Sequence, residues 1–141
     1  MALAPPAAWA YSHKRKGLEV VHPWTLPTSD AGGGTTRVFM RIKNLAGAPD
    51  RLVAASTPAA AKAALHEPGA DGAGKRMAAV VIGAGSEVAL SRNGPHLVLT
   101  GVKRRLDAYD SFKLTLVFEK AGRMIVDVAV EDAETVEPHK H

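Results

Sequence analysis

Apolar and polar residues alternate along most of the chain with a period of two. In residues 112–119 every second side chain is apolar, which is typical of a strand with one buried face. The same pattern places Met40 and Met124 on apolar faces and predicts that both lie in a core. Eight or nine short strands are predicted in this way, at residues 18–22, 37–44, 51–56, 63–67, 75–82, 87–90, 96–99, 112–119 and 124–130. One alternative stays open at residues 59–65, which alone could form a helical turn.

Turn signals separate these segments. Asn93-Gly94 is the strongest, because both residues tolerate positive φ, and it predicts a hairpin between residues 87–90 and 96–99. Many short strands, frequent turns and no sustained helical stripe together predict an all-β domain, either a sandwich or a barrel.

Composition narrows the classes of function. The chain has 141 residues and a net charge of +4, which comes largely from residues 13–16 and 103–105. Neither basic cluster is interleaved with aromatic residues, so nucleic-acid binding is not predicted. The absence of cysteine excludes disulfides, thiolate metal sites and thiol catalysis. No apolar run reaches the roughly 18 residues of a membrane span.

The two ends differ from the rest of the chain. Residues 1–10 are uncharged, rich in alanine and proline, and end in Ala8-Trp9-Ala10, which has the small-x-small form of a signal-peptidase site. We interpret residues 1–16 as a signal-peptide remnant and a flexible N-terminal segment; a natural flexible terminus is the alternative. Residues 17–131 are predicted to form the domain and 132–141 a polar tail. This interpretation implies an exported, periplasmic protein.

No catalytic set emerges from the sequence. The serines lack a spacing that nominates a His-Asp pair. Gly83-x-Gly85 is not followed by a helical pattern, so it is not a nucleotide-binding loop. We therefore do not expect an enzyme.

Several segments follow one another in an order that is characteristic of a known family. They are His22-Pro23-Trp24, Asp50-Arg51-Leu52, His66-Glu67, Met77, Gly94-Pro95-His96-Leu97 and Phe118-Glu119-Lys120-Ala121-Gly122. On these segments, residues 17–131 resemble the PCuAC copper chaperones. The resemblance implies a cupredoxin-like β-barrel that carries Cu(I) in the periplasm. It also implies a copper-receiving partner, such as a cytochrome oxidase or another copper enzyme.

The resemblance also implies the metal ligands. The family motif is a His, ten residues, a Met and later His-x-Met. His66 and Met77 keep the ten-residue spacing, and His96 stands at the second His. Val98 replaces the second Met, Pro68 stands where a Met usually follows His-Glu, and the 18 residues between Met77 and His96 are a few fewer than usual. The expected site is His66, Met77 and His96.

The missing methionine leaves the copper chemistry open. Two imidazoles and one thioether can hold Cu(I) in a three-coordinate site, whereas loss of sulfur shifts the preference towards Cu(II). Three hypotheses follow: a chaperone that carries one copper ion to a partner, a histidine-based Cu(II)-binding variant of the fold, and a metal-free interaction or scaffold domain that lost the site.

The other histidines are weaker candidates. If the signal is cut after Ala10, His13 becomes the third residue, and the free amine, two backbone amides and its imidazole could hold Cu(II) in a plane. His22 is interpreted as structural. His139 and His141 are interpreted as part of a solvated tail rather than of the main site.

Overall fold

The computed structural model describes residues 12–28, 34–68 and 75–132. Within these ranges it contains ten strands and no helix, which confirms the predicted all-β class. Accordingly, none of the described segments is a helix that could span a membrane. The strands are β1 (Ser12–Arg15), β2 (Leu18–Thr25), β3 (Gly34–Asn44), β4 (Asp50–Ser56), β5 (Ala60–His66), β6 (Val80–Ile82), β7 (Glu87–Leu90), β8 (His96–Val102), β9 (Ser111–Phe118) and β10 (Gly122–Val130).

The strands form one curved sheet. Their order is β5-β8-β3-β2-β10-β9-β4-β6, with β1 beside β2 and β7 beside β3. Strands β10 and β2 run parallel, whereas the other described pairs are antiparallel. Strand β5 is at one end of this order and β4 is next to the end strand β6 at the other; β4 and β5 approach each other in space without a described ladder between them. The sheet is therefore a nearly closed barrel with a seam between β4 and β5.

The core consists of the inward faces of the strands. Phe112, Leu114, Leu116 and Phe118 of β9 are buried, as the alternation predicted. Met40 and Met124 lie in the same cluster, which confirms their predicted core positions. Each large apolar side chain buried in this way contributes roughly 1.5–3 kcal/mol.

Asp50 fastens one end of the barrel. Its carboxylate is buried and accepts hydrogen bonds from the backbone N–H groups of Arg51 (2.7 Å), Lys120 (2.8 Å) and Ala121 (3.0 Å). Three N–H donors satisfy a charge that would otherwise be costly to bury. Two of the family-like segments, at residues 50–52 and 118–122, therefore have a structural role.

The predicted hairpin between β7 and β8 is wrong. Both strands pair with β3 instead: β7 with Met40–Lys43 and β8 with Gly34–Val38. They lie end to end along one edge of β3, and the Asn93-Gly94 turn joins them without folding one back on the other. The described glycines with positive φ are at 17, 85, 101 and 122, so Gly94 does not adopt the conformation that the hairpin turn requires.

Residues 12–15 were predicted to belong to a flexible segment, but they form β1. Lys16 and Gly17 both have positive φ (48° and 87°), as in a type I′ turn, and return the chain into β2. Arg15 Nε also donates to the carbonyl of Ala121 at 2.9 Å. The signal-peptide interpretation concerns residues 1–11, and these, like the tail beyond Asp132, lie outside the described residues.

Two other strands differ in length from the prediction. Of the strand predicted at residues 75–82, only Val80–Ile82 forms a strand, and Arg76 forms an isolated bridge with His66. Residues 60–66 form a strand, so the alternative of a helical turn at residues 59–65 is wrong.

Candidate metal centre

His66 and His96 are direct partners across two neighbouring strands. They are opposite each other in the antiparallel ladder of β5 and β8, which places both side chains on the same face. Their ring centroids are 6.4 Å apart, and the ring planes differ by 21°. Metal–imidazole nitrogen distances are about 2 Å, as for zinc, so two rings on opposite sides of one ion have centroids about 6 Å apart. The observed separation of the two rings is therefore compatible with one ion between them.

The environment of His96 determines which nitrogen it presents. Its Nδ1 lies 3.0 Å from the carbonyl oxygen of Gly94. A carbonyl can only accept, so Nδ1 carries the proton and neutral His96 has its lone pair on Nε2. The side chain is 0% exposed, and Nε2 has no hydrogen-bond partner among the described residues. A buried imidazole that is fixed through one nitrogen and unpartnered at the other is the usual arrangement of a histidine that binds metal.

A row of aromatic rings extends from the histidine pair across the sheet. The Phe39 ring on β3 meets His96 edge-on at 6.4 Å, and the Trp24 ring on β2 lies 4.8 Å from Phe39. Phe39 is 4% exposed and covers one side of His96. An irregularity in the β2–β3 register between Val21 and Trp24 precedes the indole in sequence. His96 is therefore packed against an aromatic side chain on the β3 side.

Met77 is not on the face of the histidine pair. Arg76 is the bridge partner of His66, and Met77 N–H donates to the carbonyl of Leu65 at 2.9 Å. Successive side chains alternate between faces, so Met77 is on the face of Leu65 rather than that of His66. Met77 is half-buried and packs against the core. The structure thus brings together two of the three expected ligands.

Val98 follows His96 on the same face of β8. It is 8% exposed and lines the same groove as His66. Its partner on β5 is Ala64, a small residue, so the face beside the histidines has room for a longer side chain at position 98. Pro68 is exposed beyond the end of β5.

The remaining histidines lie elsewhere. His13 pairs with Val20 in the β1–β2 ladder, and its Nε2 accepts a hydrogen bond from the backbone N–H of Asp127 at 3.2 Å. Burial lowers the pKa of His13, a shift that Asp127 partly opposes. His22 has a φ of 51° at the β2 irregularity, and its Nε2 lies 3.4 Å from Glu131. His139 and His141 are outside the described residues.

Acidic residues do not complete the site. The described residues contain no group of three or more His, Cys, Asp and Glu side chains that could hold a metal. A centre here therefore rests on two imidazole nitrogens and on donors from sulfur or from outside, a set that suits copper better than hard cations.

Comparison with known proteins identifies the family of this chain. Residues 18–130 match the family model named LpqE-like. The chain belongs to the LpqE-like family. It is 30% identical over 132 residues to Lxx21020 of Leifsonia xyli subsp. xyli (strain CTCB07), whose name describes it as a lipoprotein, and the match covers 91% of this chain and 78% of that one.

Solved structures confirm the resemblance to PCuAC domains. The apo PCuAC domain from PmoF1 matches with a TM-score of 0.75 and 27% identity, over 86% of this LpqE-like chain and 98% of that domain. The Cu(I) form of DR1885 from Deinococcus radiodurans matches with a TM-score of 0.64 and 25% identity, over 88% of this chain and 83% of that one. The predicted family and cupredoxin-like fold are therefore confirmed, and one of these two relatives holds copper.

Sequence reasoning missed the surroundings of the pair in this LpqE-like chain. Phe39 lies in an almost continuous apolar segment, where alternation alone does not assign it to a second face. Arg76 carried no signal, because its place beside His66 depends on a single bridge. Trp24 had one signal: it follows a His-Pro pair, and such a pair interrupts a regular strand.

Proposed function

We propose that this LpqE-like protein is an exported copper carrier that holds one copper ion at His66 and His96 and delivers it to a partner protein. The observation that carries the proposal is the Nε2 atom of His96, which is buried, without a hydrogen-bond partner among the described residues, and next to a second imidazole. Burying a polar nitrogen without a partner costs roughly 1–3 kcal/mol, and a bound metal offsets that cost.

The relatives support the nature of the cargo and the place of action. A structural relative contains Cu(I), and the sequence relative has a lipoprotein name, which fits a protein that acts outside the cytoplasm. In this proposal copper is the cargo of the protein, and no catalytic role is assigned to it.

The ligand set favours transfer. Two nitrogens come from the pair, Met77 is on the other face of β5 and its neighbours, and Val98 offers no donor. Copper held by two protein ligands keeps a position open, through which a donor atom of the partner enters before the histidines release the ion. A rotation of the Met77 side chain or of its backbone would be needed to supply a third protein ligand.

Copper titration tests the proposal. The wild type should bind one copper ion tightly, and a His66→Ala/His96→Ala variant should not. His22→Ala is a matched control, since it removes a half-exposed histidine that lies outside the pair. Equal tight binding by the wild type and the double variant would contradict the proposal, and the absence of tight binding in the wild type would favour the metal-free scaffold.

A second candidate is a Cu(II)-binding variant of the fold. The observation that favours it is that the ligands brought together are both nitrogens, which Cu(II) prefers more than Cu(I) does. Competition with a Cu(I) chelator, set beside a Cu(II) spin-resonance spectrum, separates the two. Tight Cu(II) binding with weak Cu(I) retention would favour this second candidate.

A further inference from the structure

A groove of about 400 Å³ runs beside β5 and ends at the histidine pair. Small side chains, including Ala55, Ala61 and Ala64, line most of its length, and His66 and Arg76 stand at one end. Alanine side chains allow another backbone to approach closely. We call this surface the β5 groove.

The backbone of β5 is unpaired on the side of the seam. The carbonyl of Leu65 and the N–H of Glu67 point away from β8, since they bond to Met77 and Lys75. Backbone groups alternate in direction along a strand, so those of Ala61 and Ala63 point the same way. Neither residue has a hydrogen bond on that side within the described part of the chain. Two N–H and two C=O groups are thus available to an added strand.

The charges beside this free edge have one sign. Lys62 and Arg76 line the β5 groove, and neither makes an ion pair with a described residue. No Asp or Glu is among the described residues that line it. A copper ion at the pair would add positive charge to the same surface, so an approaching segment is favoured when it is acidic.

We propose that the β5 groove is the docking site for an extended acidic segment of the copper-exchanging partner, which adds to the free edge of β5 beside His66. Main-chain hydrogen bonds to Ala61 and Ala63 hold the segment, and its carboxylates meet Lys62 and Arg76. The segment thereby brings a donor atom of the partner next to the histidine pair. This inference rests on the proposed copper transfer for its purpose, but docking itself requires no copper.

The test uses the copper-free full chain and two blocked six-residue peptides, one of alternating Glu and Thr and one of alternating Lys and Thr. The Glu peptide should bind and shift the amide resonances of Ala61 and Ala63. Its affinity should fall in 0.5 M salt, where the electrostatic screening length is roughly half that at 0.1 M. The Lys peptide should not bind. Equal binding of both peptides, or shifts elsewhere on the barrel, would overturn the inference.

Variants distinguish the contribution of the two cationic side chains from that of the free backbone edge of β5. Lys62→Glu/Arg76→Glu should lower the affinity for the Glu peptide at least tenfold, whereas Lys14→Glu/Lys120→Glu, which reverses two exposed charges outside the β5 groove, should change it less than twofold. Ala63→Pro removes an N–H that points away from β8, so it should block docking and leave the fold intact. Unchanged peptide binding in Ala63→Pro would overturn strand addition.

Three further outcomes are decisive. Capture by anionic phosphatidylglycerol vesicles without peptide binding would assign the cations to a membrane surface and overturn the inference. A tenfold gain in peptide affinity after deletion of residues 133–141 would show that the chain's own end occupies the β5 groove, and would also overturn it. Peptide binding in a protein that fails to bind copper would support the docking site and contradict the proposed function, so the two failures are distinguishable.

Discussion

His66 and His96 face each other across the β5–β8 ladder, and only one of them is exposed to solvent. His96 is 0% exposed with its Nε2 unpartnered among the described residues, whereas His66 is half-buried. The buried member is fixed by the Gly94 carbonyl, whereas part of the outer member is reached by solvent. In the proposed carrier, copper would therefore meet His66 before His96, an order of binding that suits a protein that must also release its ion.

Replacing His96 with phenylalanine should separate stability from copper binding. His96→Phe keeps an aromatic ring against Phe39 and removes the buried polar atom, although it loses the bond to Gly94. We expect a free energy of unfolding that is unchanged or higher by about 1–2 kcal/mol, together with loss of tight copper binding. Urea unfolding and copper titration measure the two effects. Marked destabilisation would mean that His96 is a structural histidine; His66→Phe, at a half-buried position, is the control and should change stability by less than about 0.5 kcal/mol.

Val98→Met should raise the affinity for Cu(I). Residues 96 and 98 share a face, and Ala64 opposite Val98 leaves space, so the new sulfur can point towards the pair. We expect an increase of about tenfold or more, which corresponds to about 1.4 kcal/mol, in competition with a Cu(I) chelator. Val98→Leu has similar bulk without sulfur and is the matched control. An unchanged affinity in Val98→Met would argue against a copper site on this face.

The candidate ligands were predictable, but their arrangement was not. His66 and His96 were selected by a spacing motif, and the structure brings them together. Met77 was selected by the same motif, yet its face depends on the local bridge between Arg76 and His66, which no spacing encodes. Val38 and Phe39 illustrate the same limit: both are buried, and only the position of the neighbouring strands decides which one faces the core and which one His96.

The fold shows a similar division. Alternation predicted most strands to within a few residues, because one face of each is buried. The Asn93-Gly94 turn led to a wrong prediction, because a turn signal indicates where the chain bends and not which strand the next segment pairs with. Both β7 and β8 pair with β3, which is longer than either of them. Strand β1 was missed because its residues are polar, and it is held by the Lys16-Gly17 turn and by side-chain bonds instead of by core burial.

Stability should fall on mild acidification through His13. Its Nε2 accepts the Asp127 N–H, and burial lowers its pKa below the ordinary value of about 6.5. The unfolded chain then binds a proton at a higher pH than the folded chain does, so the contribution of His13 is complete above about pH 6.5 and is lost as the pH falls through the folded pKa. Because the side chain is partly exposed, the contribution is at most about 1 kcal/mol.

Thermal unfolding between pH 5 and 8 measures this effect. A His13→Gln variant should be less stable than the wild type at pH 8 and should show a weaker decline towards pH 5. Since the other histidines remain, the informative quantity is the difference between the two curves. Parallel curves would show that the folded pKa of His13 is not lowered.

The terminal histidines should be dispensable for tight copper binding. The sequence from Glu137 to His141 lacks a packing residue, and the pair at positions 66 and 96 already presents two nitrogens on one face. Deletion of residues 137–141 should leave one tightly bound copper ion, with loss only of weak binding, as counted by equilibrium dialysis. Loss of the tightly bound ion would make the tail a ligand arm.

A trimmed amino terminus should gain a second, separate Cu(II) site if the signal is cut after Ala10. A protein that begins at Tyr11 should show an additional square-planar Cu(II) spectrum that disappears in His13→Ala. Formation of this site competes with the β1–β2 ladder and with the Asp127 bond, so the same protein should lose stability when Cu(II) is added. Identical spectra from the trimmed and full-length proteins would contradict the hypothesis.

Trp24 should report copper binding through its fluorescence. The separations from Trp24 to Phe39 and from Phe39 to His96 add up to about 11 Å, which is the greatest distance between the indole and the His96 ring. A Cu(II) ion at the histidine pair lies within quenching range, so emission should fall and level off at one equivalent of copper. Trp24→Phe measures the emission that comes from Trp9, the other tryptophan, and His66→Ala/His96→Ala should abolish the saturable fall in emission. Quenching that persists undiminished in the double histidine variant would place the ion elsewhere.

Phe39→Leu should keep the quenching while exposing His96 to water and weakening copper retention.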